Sequence, residues 1–465
     1  ALLDKAGAGR FFTNLALSIL GKYKGGPAKA AVLSSGVTGL VSGSSIANIV
    51  TTGPFTIPLM KKIGYPAEKA AAVEVASSTD GQLMPPIMGA AAFIIAEYVN
   101  VPYLDVVKAA VIPALVSYFG LFCITHLEAS KLGIKGLAAP DIPRFFLTLK
   151  EGLHYLVPLA VLLYELVILR HSPEQAAFRS ILVLVAIIFF QEIRRAHRAQ
   201  SGFLVGLKHA VIIIGYGMIQ GSKNMISVAL ACAAAGIIVG VVNMGIGGMI
   251  AQIVETIAMG NIYILLGITA LASLLLGMGL PTTATYIVMA SLTAPIIVEV
   301  GGLFNFVIPI MAAHLFCFYF GILADDTPPV GLAAYAASAI AGSAPIPTGI
   351  QGFLYDIRTS VIAFMFVFNP DLILHNINNW PQGLLIFSMA LVGMSAFENF
   401  AQGWCLTKIR FYEIPFFLAA AFILFHPGGL GTLFNVDQAY RYWLFPIGLL
   451  IYGTVILQQK LRMKT

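Results

Sequence analysis

The stretch SGSSIANIVTTGPFTIPLM, residues 42–60, decides how this chain is read. A cluster of small, hydroxyl-bearing residues followed by prolines interrupts a long apolar run. Soon after comes SSTDGQLMPPIMG, residues 77–89, where an acid and a double proline break a second run. The same pair recurs as GMGLPTTATYIVMASLTAPII, 277–297, and LADDTPPVG, 323–331. A helix broken inside a bilayer frees backbone groups that lipid cannot satisfy, so each break is expected to line a site. Two such breaks at matching places in two halves mark the midplane binding site of a secondary transporter.

The composition supports a membrane setting. Hydrophobic residues make up 58% of the 465 and charged residues 10%, against roughly 25% charged in soluble domains. Apolar runs long enough to cross a bilayer recur, among them 103–125, 151–169, 178–191, 350–369 and 441–458. The chain is therefore expected to be an all-α polytopic membrane protein, with roughly ten to thirteen crossings and re-entrant pieces. Its net charge of +6 sits in loops between apolar runs. That is the pattern of cytoplasmic membrane edges, and it does not point to nucleic acid. Cys123, Cys232, Cys317 and Cys405 form no close pair and read as buried small hydrophobes. No HExxH or other metal spacing joins the histidines, and no Ser–His–Asp or Walker arrangement appears. An enzyme is not expected. A channel, the rival reading, would use similar broken helices without saturable counterflow.

Charge placement orients the chain. Lys61, Lys62, Lys131, Lys135, Arg144, Lys150, Arg194, Arg195, Arg198, Lys408, Arg410, Lys460, Arg462 and Lys464 mark cytoplasmic loops. Arg170, His171 and Arg179 then fall outside, as exceptions. The first hairpin (28–60) opens from the cytoplasm and the second (261–300) from outside. The two devices are thus inverted repeats, each a re-entrant hairpin with a broken helix (65–98 and 305–341). Residues 1–150 form the first repeat, 151–206 linking scaffold helices, 207–372 the second repeat and 373–465 C-terminal membrane helices. The stretch 203–260 needs an odd number of crossings, one or three. Tyr103 with Asp105, and Tyr355 with Asp356, are read as the starts of the helices that follow the two breaks.

The tips and breaks carry oxygen chemistry. Ser44, Ser45 and Asn48 offer side-chain oxygens in the first tip; Thr282 and Thr283 do so in the second, beside Gly277, Gly279 and Pro281. Unwound helix ends supply carbonyls to monovalent cations, and the restarting helices aim their positive ends at an anionic substrate. The breaks add Thr79, Asp80, Gly81 and Gln82, then Asp325, Asp326 and Thr327. A carboxylate at membrane depth requires a cation, a proton or a partner. Each break is read as completing a cation site with the facing tip, or else Asp80 or Asp326 is a protonation site. Which of Asp325 and Asp326 faces inward stays open. Glu74 is a candidate for a supporting position behind Asp80. Glu165, Glu255, Glu299 and Glu398 read as interfacial or paired. Neither tip and neither break contains Lys or Arg, so carboxylate binding is expected to rest on hydroxyls, amides, helix ends and bound cations.

The segment KGGPAKAAVLSSGVTGLVSGSSIANIVTTGPFTIPLMKKIGYPAEKAAAVEVASSTDGQLMPPIMGAAAFIIAEY resembles the large membrane subunit of tripartite ATP-independent periplasmic (TRAP) transporters. It is most similar to the fused permeases that work with TAXI-type binding proteins. LLLGMGLPTTATYIVMASLTAPII and LADDTPPVGLAAYAASAIAG resemble that family's second repeat. The resemblance implies a sodium-coupled importer of organic acids in a bacterial or archaeal cytoplasmic membrane, served by a periplasmic binding protein and moving as an elevator. It implies sodium ligands at Ser44, Asn48, Gly81, Met84 and Pro86, and at Gly277, Thr282, Asp326 and Thr327. Substrate would lie between the tips, at Ser44, Ser45, Asn48, Thr282 and Thr283, with Asp80, Asp325 and Glu74 as supporting or protonation residues. It also implies small-subunit helices, fused or separate, and opening helices ahead of Ala1. A proton-coupled carboxylate transporter of the same fold is the alternative.

Overall fold

The computed structural model describes residues 1–241, 244, 247–304, 306–375, 377, 379–429 and 438–463. Among these the chain is helical, and eight helices are long and apolar enough to cross a membrane. Four shorter apolar helices, Ile262–Gly277, Ile310–Ala324, Leu332–Ala341 and Phe411–Phe425, accompany them.

The chain opens with α1 (Leu2–Ala6) and α2 (Ala8–Leu20). The first hairpin is α3 (Gly26–Ser42) and α4 (Ser45–Lys62). Its tip is made by Gly43, whose φ of +64° ends α3, and by Ser44, whose hydroxyl accepts from the Ala47 N–H and caps α4. The first broken helix is α5 (Ala67–Asp80), a short 3-10 turn (Gly81–Leu83), an irregular stretch through the two prolines, and α6 (Ala91–Val99). Proline interrupts the helix there because it lacks an N–H and crowds the preceding turn. Next come α7 (Tyr103–Lys131), α8 (Phe145–Gly152), α9 (Leu156–Leu163), α10 (Pro173–Arg198), α11 (Phe203–Val241) and α12 (Gly247–Ala258).

The second hairpin is α13 (Ile262–Gly277) and α14 (Thr282–Leu303), entered through the Asn261 side chain, which accepts from the Tyr263 and Ile264 N–H groups. The second broken helix is α15 (Ile310–Ala324), the stretch around Pro328–Pro329, and α16 (Leu332–Ala341). Both Pro–Pro bonds are cis. The chain ends with α17 (Pro345–Phe368), α18 (Trp380–Gln402), α19 (Ile414–Phe425) and α20 (Phe445–Arg462).

Packing interleaves the two hairpin-and-break units. The helix α5 contacts its own hairpin, α3 and α4, and also α16 and α17 from the other unit. Reciprocally, α6 contacts α14 and α15. The main apolar core joins α6, α7, α14, α15, α17 and α18, with Tyr286, Phe316, Tyr319 and Phe366 wholly buried. By contrast α10 and α11 expose large apolar side chains, including Leu182, Phe190, Leu204 and Leu230. So extended an apolar surface is stable against lipid and not against water.

Two expectations need adjustment. Tyr355 and Asp356 do not begin the helix after the second break: α17 starts at Pro345, so both lie buried mid-helix, whereas Tyr103 and Asp105 do occupy the first turn of α7. Helix α17 starts early because Gly342 turns the chain in the left-handed region and Pro345 supplies a preset first turn. Within 203–260, the described residues form one 39-residue helix and then α12; 242–243 and 245–246, on which the crossing number depends, lie outside them. Of the basic residues expected outside, Arg179 and His171 share a partner: Glu165 accepts from Arg179 at 3.0 Å and pairs with His171 at 2.6 Å.

Candidate functional site

The two breaks cross at the centre of the fold, and each meets the tips of both hairpins. Asp325 makes the meeting from one side. Its Oδ2 accepts from Ser45 Oγ of the first tip at 2.6 Å and from Thr282 Oγ1 of the second at 3.0 Å. Gln82 makes it from the other. With its amide oriented to satisfy its neighbours, the nitrogen donates to Thr282 Oγ1 (3.0 Å) and to the Gly43 carbonyl (3.2 Å), and the oxygen accepts from the Ser45 N–H (3.1 Å). Helices α4 and α14 both start at this point, at Ser45 and Thr282, so the positive ends of two helix dipoles converge on it. Close backbone approach makes the crossing possible: a methyl on Gly89 would stand 2.7 Å from Gly43 Cα, and one on Gly81 would stand 2.8 Å from Gly39 Cα.

Around the first break Asp80 and Glu74 have hydrogen-bond donors on both carboxylate oxygens. Asp80 accepts from Ser117 Oγ at 3.0 Å, from Thr359 Oγ1 at 3.3 Å, and from the Arg358 guanidinium. Glu74, fully buried one and a half turns earlier, is clasped by hydroxyls of Ser35 (3.1 Å), Thr52, Thr56 (2.5 Å) and Ser78 (3.5 Å). It ties α3 and α4 to α5. Asn48 faces into its own hairpin, accepting from Thr38 Oγ1 and donating to the Ser35 carbonyl at 2.9 Å. The carbonyls of Gly81 and Met84 accept from the N–H groups of Met84 and Met88, and the Pro86 carbonyl accepts from Tyr103 Oη. A carbonyl has two lone pairs, so each keeps one for another ligand.

The second break is left partly unsatisfied. Asp326 Oδ1 accepts from Thr79 Oγ1 at 3.0 Å, so the two breaks touch directly. Among the described residues Asp325 Oδ1 and Asp326 Oδ2 are buried with no donor, and Asp326 lies against the carboxyl of Asp356. Thr327 donates to the Leu323 carbonyl at 2.7 Å, while Thr283 is buried within α14. At Gly277 an added methyl would meet Ala324 Cβ and Thr285 Cγ2 at 2.6 Å, so the tip and break of the second unit are in contact.

These residues fit a monovalent cation. Two orphaned carboxylate oxygens, adjacent hydroxyls and unwound carbonyls are the hard oxygen donors that such an ion takes. Among the described residues, no three His, Cys, Asp or Glu side chains gather as a metal-binding group.

Comparison with known proteins gives this geometry its setting. Residues 1–380 match the family model described as "Tripartite ATP-independent periplasmic transporter, DctM component". The chain belongs to this family. DctM-family proteins are transporter permeases, so it is a multi-pass membrane transport protein and not an enzyme. Residues 383–435 match a second family, described as "Domain of unknown function (DUF3394)". The permease is 20% identical over 380 residues to a "Putative TRAP transporter large permease protein" of Haemophilus influenzae, covering 80% of this chain and 83% of that protein. It is 25% identical over 177 residues to the "C4-dicarboxylate TRAP transporter large permease protein DctM" of Pseudomonas aeruginosa, covering 38% and 41%. A segment of 107 residues is 36% identical to an uncharacterized protein of Sinorhizobium fredii, covering 23% and 25%.

Of the residues singled out in the sequence, Ser45, Thr282 and Asp325 are brought into direct contact, and Asp326 into contact with Thr79 of the first break. Ser44 caps α4 beside them. Asn48 and Glu74 lie behind the tip, inside the hairpin's own packing. Sequence reasoning took Asp356 of the permease only for a helix start and missed Arg358. Their signal was present in YDIRTS, 355–360: opposite charges inside an apolar run are costly and seek a buried partner.

Proposed function

We propose that this permease imports a small carboxylate together with sodium, receives it from a periplasmic binding protein of the TAXI type, and moves it by an elevator motion. The observation that carries this reading is the meeting of Ser45 and Thr282, from two different hairpins, on the single carboxylate of Asp325. The two hydroxyl protons are used on Asp325 itself, while the two helix N-termini that converge there offer positive field to a second carboxylate, that of a substrate. Sodium, when bound, supplies positive charge beside Asp325 and Asp326, so an anion and two acids share the membrane interior without mutual repulsion. The chain's own residues do the rest. Ser45 and Thr282 donate their hydroxyl protons to Asp325, and Gln82 holds both tips in register. Glu74 fixes the first hairpin to α5, so the two shift as one body.

The reciprocal packing of α16 on α4 and α5, and of α6 on α14 and α15, supports an inverted repeat and a common mobile unit. The names of the Pseudomonas aeruginosa and Rhodobacter capsulatus relatives, both "C4-dicarboxylate" permeases, support a dicarboxylate, 2-oxo acid or glutamate-like substrate. Small-subunit helices, fused or separate, complete the three-part transporter in the inner membrane. The test is uptake into proteoliposomes with the binding protein present, driven by a sodium gradient or by a pH gradient. Sodium-driven, saturable uptake of a carboxylate is expected; transport of neutral sugars alone would refute the substrate class.

A second reading has one observation in its favour. Asp325 Oδ1 and Asp326 Oδ2 lack donors, and a proton satisfies such an oxygen as well as a cation does. Uptake driven by the pH gradient and indifferent to sodium would establish that reading instead.

A further inference from the structure

Arg358 is the largest fully buried side chain in the described structure, and it lies on α17, outside both tips and both breaks. Every nitrogen of its guanidinium is engaged. Nε donates to the Ser117 carbonyl at 3.0 Å, Nη1 to the Tyr355 carbonyl, and Nη2 to Asp80 Oδ2. Nη2 also stands 3.0 Å from Asp356 Oδ1. The fold reserves space for this side chain: a methyl on Gly120 would lie 2.8 Å from Arg358 Cδ. A guanidinium so fully used cannot turn to a substrate carboxylate without abandoning two acids and two carbonyls. What it does is charge compensation. A buried carboxylate without a cation or proton is strongly unfavourable, and at the first break a cation is supplied by the chain itself. At the second break Asp325 and Asp326 receive hydrogen bonds from hydroxyls, and Asp326 also lies against the carboxyl of Asp356, the other acid on Arg358; among the described residues no basic side chain bonds Asp325 or Asp326 directly.

We propose that Arg358 is a tethered counter-ion that fixes the charge of the first break, so that sodium is recruited by Asp325 and Asp326 and not by Asp80. The inference rests on the sodium-coupled reading above and adds to it where the mobile charge is needed. Removing Arg358 leaves Asp80 and Asp356 facing one another, a place that a further sodium ion fills. Removing Asp80 at the same time restores the native net charge of the break and closes that place.

The experiment uses the full chain purified in detergent and its thermal unfolding midpoint, with sodium chloride exchanged against choline chloride at constant ionic strength. The native protein, Arg358→Gln, Asp80→Asn and the double variant are compared. In choline both single variants unfold at lower temperature, and the double variant recovers more than half of the loss. With sodium, the native and double proteins rise with the same slope against the logarithm of sodium concentration. Arg358→Gln rises more steeply, by about one additional bound ion, because a ligand that binds only the folded state stabilises it by mass action. Should Arg358→Gln yield no folded protein, recovery of folded protein in the double variant is the supporting result. A double variant as damaged as both singles together overturns the proposal, and so does an unchanged sodium slope in Arg358→Gln. A native protein indifferent to sodium refutes the sodium reading by itself; the rescue in choline then still decides whether Arg358 neutralises Asp80.

Discussion

At the first break, Asp80 takes hydrogen bonds from Ser117, Thr359 and Arg358, and no oxygen of its carboxylate is left over. At the second, Asp325 and Asp326 each keep one buried oxygen without a donor among the described residues. The two stretches share an acid and a double proline, and their surroundings divide the labour. One break is held by the protein's own charge; the other is left to be completed. A doubled sequence device therefore does not imply two equivalent ion sites, and substitution of matching residues separates the roles.

The largest effect is expected from placing the same substitution on each side. Asp80→Asn breaks a fully buried ion pair, and losing one partner of such a pair costs about 3–5 kcal/mol. Asp325→Asn removes a charge that has only hydroxyl partners, so its stability cost should be roughly half of that or less, while uptake falls by at least about tenfold. Thermal unfolding and proteoliposome uptake, measured on both variants, check the contrast. Equal losses of stability would make the breaks alike and end the distinction.

Thr282→Ala comes next. It removes one of the two hydroxyls that reach Asp325, and a hydrogen bond to a charged group contributes about 1.5–3 kcal/mol. Sodium-dependent uptake should drop by about tenfold or more. Thr283→Ala, one residue on and buried in α14, is measured beside it to separate the two hydroxyls of the second tip. Normal uptake by Thr282→Ala, with unchanged sodium dependence, would remove the second tip from the site.

The sequence made the breaks legible because Gly, Pro and hydroxyl residues interrupt an apolar run for stated mechanical reasons. The hairpin expected at 28–60 is Gly26–Ser42 with Ser45–Lys62, and the turn falls on Gly43 and Ser44 as the small residues indicate. Helix interiors carry no such punctuation. Asp356 and Arg358 sit two residues apart in α17, and nothing in their spacing says that Arg358 reaches Asp80 from 278 positions away. The choice between Asp325 and Asp326 was illegible for a related reason. The helix stops at Ala324, so helical periodicity no longer assigns directions, and only the crossing of the breaks sends Asp325 to the tips and Asp326 to Thr79.

The smallest expected effect tests the comparison at its edge. Tyr103 Oη donates to the carbonyl of Pro86 and lies 3.2 Å from that of Ile87, so α7 holds the backbone just past the first double proline. Tyr355, which the sequence pairs with it, has a buried hydroxyl in the middle of α17 with no partner among the described residues. Tyr103→Phe should therefore cost about 0.5–1.5 kcal/mol, the net worth of an ordinary hydrogen bond. Tyr355→Phe should be neutral or slightly stabilising, because it removes a buried hydroxyl that satisfies nothing. Thermal unfolding of the two variants side by side decides the matter. If Tyr355→Phe loses as much as Tyr103→Phe, then the second break is braced from α17 as the first is from α7. The asymmetry would then be confined to the charges of Asp80, Arg358, Asp325 and Asp326.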